Sequence, residues 1–148
     1  MSTIRTIAAG AALAAGILAF APRADTQEAA AVAKVKASRI FSATTNAGGQ
    51  PIVLPQGDVE VVVWTYDIPV GARLPIHKHP SARYAYVLQG TLQVTDVQNS
   101  RTWDYQAGDF IVEIVDTWHY GVTTGAEPVR LLVIDQVEKG KPNTILRY

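Results

Sequence analysis

The hydrophobic positions of this chain gather in short β-branched and aromatic runs, each closed by Gly, Pro or Asn, a pattern that predicts strands and turns. The longest run, Val59 to Ile68, is almost continuously apolar and is stopped by Pro69 and Gly71. A run without polar alternation predicts a strand covered on both faces. Tyr84 to Val97 gives a second strand region interrupted at Gln89-Gly90, and Asn99-Ser100 marks a hairpin tip before Arg101 to Tyr105. Ala107-Gly108-Asp109 turns the chain into Phe110 to Val115, Trp118 to Thr123 follows, and Val129 to Val137 is the last strand, with Glu138 to Pro142 as an exit loop. No segment shows a convincing amphipathic helical period. The predicted fold class is all-β, an antiparallel sandwich or barrel.

Upstream of the strands the pattern changes. Arg5 precedes an apolar run from Ile7 to Ala21 that resembles a secretory signal peptide. The run is shorter than the ~20 apolar residues of a membrane-spanning helix. Ala19-Phe20-Ala21 offers a small-x-small cleavage site, but Pro22 follows it and further small residues lie within Ala29 to Ala33, so cleavage is bounded only to 21–33. An uncleaved N-terminal anchor is the alternative. The expected organisation is a signal segment at 1–21, a short helix or loose linker at 22–39, and a folded domain at 40–148. Export to the periplasm or beyond is expected, with no membrane association after cleavage.

Composition narrows the function by exclusion. The 148 residues suffice for one domain with a core, and 13 basic residues balance 13 acidic ones. No basic stripe appears, so a nucleic-acid partner is not expected. The absence of cysteine excludes disulfides, thiolate ligands and a cysteine nucleophile.

The candidate chemistry lies in the histidines, of which there are three. His77 and His79 form an HxH pair whose side chains share one face of an extended segment. His119 falls in a second strand region. Three neutral imidazoles can hold Fe, Mn, Ni, Cu or Zn and leave open positions on the ion. HxH alone is a weak signal, but Gly71, Gly90 and Gly108 frame the histidines at regular spacings.

The stretches Gly71 to Gly90 and Gly108 to His119 resemble the two signature motifs of the cupin superfamily. The resemblance is to small single-domain cupins and rests on His77-Lys-His79-Pro80, Tyr86-Val-Leu-Gln-Gly90 and Gly108-Asp109 to Glu113. It implies a jelly-roll β-barrel, a divalent ion on His77, His79 and His119, and a homodimer. Two departures stand out. Arg83 occupies the place of the glutamate ligand of the first motif, and a cation cannot ligate. Ile114 and Asp116 stand where Pro and Gly shape the turn of the second motif, and Thr123 where asparagine is common.

Arg83 lies an even offset from His79 and faces the interior if the strand stays regular. There it is suited to hold the carboxylate or enolate of a small anionic ligand; a bulge after Pro80 would turn it outward instead. Glu113, on a strand of Phe, Ile and Val, must reach the metal, pair with Arg83 or point to water. Arg83 and Glu113 are therefore the candidate catalytic residues. Tyr84, Tyr86, Trp103, Trp118 and Tyr120 either line a pocket or pack. The expected function is a metal-binding cupin with oxygenase-like chemistry on a small molecule; the alternative is a non-catalytic ligand-binding or structural cupin with a weakened site.

Overall fold

Nine strands and no helix make up residues 34–148, which the computed structural model describes. The expected signal segment, its cleavage sites and most of the 22–39 linker lie outside the described residues. In chain order the strands are β1 (Val59–Ile68), β2 (His77–Lys78), β3 (Arg83–Gln89), β4 (Thr91–Asp96), β5 (Thr102–Gln106), β6 (Phe110–Val112), β7 (His119–Thr123), β8 (Val129–Glu138) and β9 (Ile145–Leu146). They form two antiparallel sheets, in the orders β1-β8-β3-β6 and β5-β4-β7-β2-β9. Ser38–Tyr148 is one compact unit. The all-β, antiparallel jelly-roll expectation is met.

Alternation builds the core. Along β8, Val129, Leu131, Val133, Asp135 and Val137 are buried while the residues between them are half-buried or exposed. Val129, Leu131 and Val133 cluster with Val87 and Ala85 of β3 and Leu92 of β4, so the core lies between the two sheets. The chain passes from one sheet to the other at Gly90, where φ is +81° and a Cβ would lie 2.6 Å from the Pro128 carbonyl oxygen. Only glycine tolerates both the left-handed backbone and that approach.

β1 departs from expectation. It is an edge strand paired only with β8, and Val59, Val61 and Val63 are exposed, Val61 at 59%. The register sets Val63 opposite Ile134 and Thr65 opposite Leu132, and Tyr84 and Tyr86 flank the same two residues from β3. The outer face of this sheet is therefore apolar, and a continuously apolar run here reflects one face in the core and one open apolar face.

β2 and β9 escape sequence patterning because two residues carry no period. After the predicted exit loop the chain returns: Ile145 and Leu146 pair with Lys78 and His77.

Candidate metal centre

Each histidine is delivered by a different local device. His77 begins β2 directly opposite His119, the first residue of β7. His79 follows β2 and is tied by its carbonyl, which accepts from the Asp116 amide at 2.8 Å, and by a bridge to Val115. Asp116 takes φ +51°, so the turn keeps the left-handed backbone that a glycine would supply, at a residue type that tolerates it. Its carboxylate also receives the Lys78 ammonium at 3.0 Å.

The rings converge. Their ligating nitrogens all lie within 4.8 Å of one another, and all three residues are buried, His79 completely. Each Nδ1 is within hydrogen-bonding distance of a backbone carbonyl: His77 of Pro75 at 2.7 Å, His79 of Asn143 at 2.6 Å, and His119 of Thr117 at 2.8 Å. Carbonyls only accept, so each Nδ1 carries the proton and each Nε2 presents a lone pair. Nε2 of His79 and Nε2 of His119 are buried without any hydrogen-bond partner. Orphaned acceptors facing one point are what a cation satisfies. Burial pushes the His77 pKa down to about 4, which keeps that imidazole neutral and able to ligate near neutral pH.

Glu113 lies directly against this cluster. Its Oε2 is 3.2 Å from His79 Nε2 and 3.4 Å from His119 Nε2. Adjacent ligands each about 2.1 Å from one ion lie roughly 3.0–3.4 Å apart, so this carboxylate oxygen sits at the spacing of a ligand. Burial alone raises the Glu113 pKa; protons on His79 and His119 would outweigh it and hold the carboxyl well below its usual range, and a cation between the unprotonated rings would act in the same direction.

Arg83 is buried, and the carboxylate that it pairs with is Asp135 rather than Glu113. Its cross-strand neighbour is Asp135 of β8. Nε donates to Asp135 Oδ1 at 2.7 Å and Nη2 to Oδ2 at 2.8 Å, so the bidentate fork is held by a protein carboxylate. Asp135 also accepts from Trp64 Nε1 at 2.9 Å and from Asn143 Nδ2 at 2.7 Å. Burial pushes Asp135 up, but the bonds from Arg83 and Asn143 outweigh it and hold it below its usual value. Asn143 Oδ1 accepts from the Ser81 amide at 2.9 Å, and the Asn143 carbonyl holds His79. A continuous network therefore runs from Arg83 through Asp135 and Asn143 to the most deeply buried imidazole.

Sequence reasoning missed Asp135 and Asn143. Asp135 left a signal, being the acidic residue on the inward parity of an otherwise apolar strand; Asn143 left none, since it lies past the exit loop. Of the aromatics, Tyr84, Tyr86, Trp103, Trp118 and Tyr120 do not line the cavity beside the histidines, whereas Tyr66 does. Tyr120 carries the Arg73 guanidinium 3.7 Å above its ring.

A cavity of about 200 Å³ opens beside His77, His119, Arg83 and Glu113, and its remaining walls are mostly aliphatic. A pattern described as "Cupin domain" matches residues 64–135. The match runs from within β1 to within β8. Among solved structures, this chain resembles an oxalate decarboxylase of Lactobacillus farciminis in a formate complex, at 26% identity and a TM-score of 0.50 over 58% of this chain and 26% of that one. It is also similar to the polyketide cyclase RemF of Streptomyces resistomycificus, at 22% identity and 0.50 over 63% of this chain and 65% of that one. The DMSP lyase DddQ of Ruegeria pomeroyi matches at 18% and 0.50, covering 60% of this chain and 43% of its own. The chain thus spans between about a quarter and two thirds of those proteins. No curated protein sequence matches it.

Two outcomes follow from the network. Replacing Asn143 with Ala removes both bonds that fix its carbonyl, and metal retained after dialysis against a chelator is expected to fall about 10–100-fold; wild-type retention would show that His79 needs no such support. Asp135 titrates near 3.8 when unfolded and lower when folded, so its stabilisation is complete above that pH and is lost as the pH falls below it. Asp135→Asn strands a buried guanidinium and is expected to cost about 3–5 kcal/mol at neutral pH. In urea unfolding of metal-free protein, its stability should also decline less steeply than the wild type's below pH 3.8; parallel acid profiles would contradict this.

Proposed function

We propose that this protein is an exported, metal-dependent cupin enzyme acting on a small organic molecule, with His77, His79, His119 and Glu113 as the ligands of one divalent ion and an oxygenase-like reaction. The observation that carries the reading is the pair of buried, unpartnered Nε2 atoms facing a carboxylate at ligand spacing. Such an ion supplies a Lewis acid with open positions for substrate and for dioxygen or water. The chain's own residues do the rest. Backbone carbonyls hold the imidazole tautomers, Glu113 lowers the net charge of the centre, and the aliphatic walls exclude water from the reacting end of the cavity.

The similar structures bear names of unlike reactions, decarboxylation, cyclisation and lysis, so the fold does not select the reaction. A second reading, a ligand-binding cupin without turnover, is favoured by Arg83, whose charge is already matched by Asp135. Export rests on the signal-like segment at 1–21. A homodimer rests on the apolar outer face formed by Val61, Val63, Leu132, Ile134 and Tyr86, a contiguous surface that water contacts at a cost.

Untagged protein should carry near-stoichiometric Fe, Mn, Ni, Cu or Zn by elemental analysis. His77→Ala and His119→Ala should lose it, and Glu113→Gln should retain it at least tenfold more weakly. Unchanged metal content in Glu113→Gln would remove that residue from the ligand set. Oxygen uptake on a panel of small enols and hydroxy acids separates enzyme from binder. Sedimentation should show a dimer that Val61→Lys with Val63→Lys converts to monomer; a monomeric wild type would end the dimer reading.

A further inference from the structure

Arg83 does not use all of its donors on Asp135. Nε and Nη2 donate to that carboxylate, whereas Nη1 makes no hydrogen bond among the described residues, and the side chain lines the cavity. The hydroxyls of Tyr66 and Thr144 line the same cavity and are likewise unbonded among the described residues. The contacts of Asp135 gather these groups from separate parts of the chain. Trp64, which shares the inward side of β1 with Tyr66, donates to Asp135, and so does Asn143, the neighbour of Thr144. Burial pulls the Arg83 pKa down, but Asp135, Glu113 and Tyr66 outweigh it and raise it, so the phenol lies near enough to act on the guanidinium. Buried donors of this kind call for an acceptor inside the cavity.

From this convergence we propose that Arg83 Nη1, Tyr66 Oη and Thr144 Oγ1 form a second polar subsite in the cavity, which holds a carbonyl oxygen of the substrate by hydrogen bonds and needs no metal to do so. The proposal rests on the reading of this cavity as the substrate site. A carbonyl oxygen only accepts and a guanidinium N–H only donates, so the two are complementary. Asp135 already balances the charge of Arg83, so the subsite offers donors without net charge and recognition does not require an anion. Ile68, Leu131, Val133 and Leu146 present aliphatic wall to the remainder of the ligand. The class of ligand that fits is a small molecule with a carbonyl on an apolar body, such as a ketone, ester or amide.

The test uses the full chain stripped of metal by a chelator, so that binding reports the cavity alone. Cyclohexanone and methylenecyclohexane have the same shape, and of the two the ketone carries the acceptor. In NMR titrations, Tyr66→Phe and Thr144→Val are each expected to weaken cyclohexanone about 3–10-fold and to leave methylenecyclohexane unchanged, since each removes one hydroxyl at nearly constant shape. The guanidinium nitrogen resonances of Arg83 should move with the ketone and stay in place with the hydrocarbon. Equal loss of both probes would mean that these side chains merely shape the cavity. No binding of the ketone by the wild type, or unchanged affinity in both variants, would mean that water alone occupies the donors. Each of those results overturns the proposal. Metal uptake is read separately by elemental analysis: a wild type that takes up no metal would end the metal-centre reading, while a ketone held by Tyr66 and Thr144 in the metal-free chain would still establish the subsite.

Discussion

The fixed orientation of three buried imidazoles is the constraint on which the rest depends. A histidine ring has two nitrogens, and when a backbone carbonyl engages Nδ1 the other has no choice but to present a lone pair. Here that happens three times around one point, and two of the resulting acceptors have no partner in the protein. Leaving such groups unsatisfied in a dry interior is costly. The sheets therefore hold a cation site in advance of the cation, with strand pairing between His77 and His119 setting its floor.

Much of this was legible in the sequence. The strand runs, the break at Gln89-Gly90 and the HxH spacing all follow from local chemistry, and the turn glycines fall where the backbone is left-handed, as at Gly71 and Gly108. What failed to show depends on contacts between distant residues. Continuous apolarity in Val59–Ile68 cannot distinguish two covered faces from one covered and one open, because either gives the same residues. Asn143 lies 64 residues from the histidine it holds, in a segment too short to have a period. Arg83 could be placed inside by parity, but its partner could not be named, since pairing with Asp135 depends on the β3-β8 register.

The C-terminal segment has three roles in one short stretch. Ile145 and Leu146 extend the sheet beside His77, Thr144 and Leu146 wall the cavity, and Asn143 braces His79. Metal geometry and pocket shape are thus tied to the same few residues, so a change in one moves the other. Trp64 adds a link to the edge of the opposite sheet, since its indole shares Asp135 with Arg83. That edge is also where the apolar outer face begins, so a partner covering β1 would press on a residue two hydrogen bonds from Asn143.

An arginine at a position where a metal ligand is expected would ordinarily argue against a metal, because it adds repulsion where attraction is needed. Two compensations remove that objection here. Asp135, directly opposite in register, cancels the charge and turns the guanidinium into a brace for the network that reaches His79. Glu113, six residues before His119, brings a carboxylate to the cluster from the other motif. The carboxylate that β3 does not supply at position 83 is thus present at the cluster from the segment just after β6, and Arg83 is tolerable so close to the imidazoles because Asp135 and Glu113 together keep the local charge in balance.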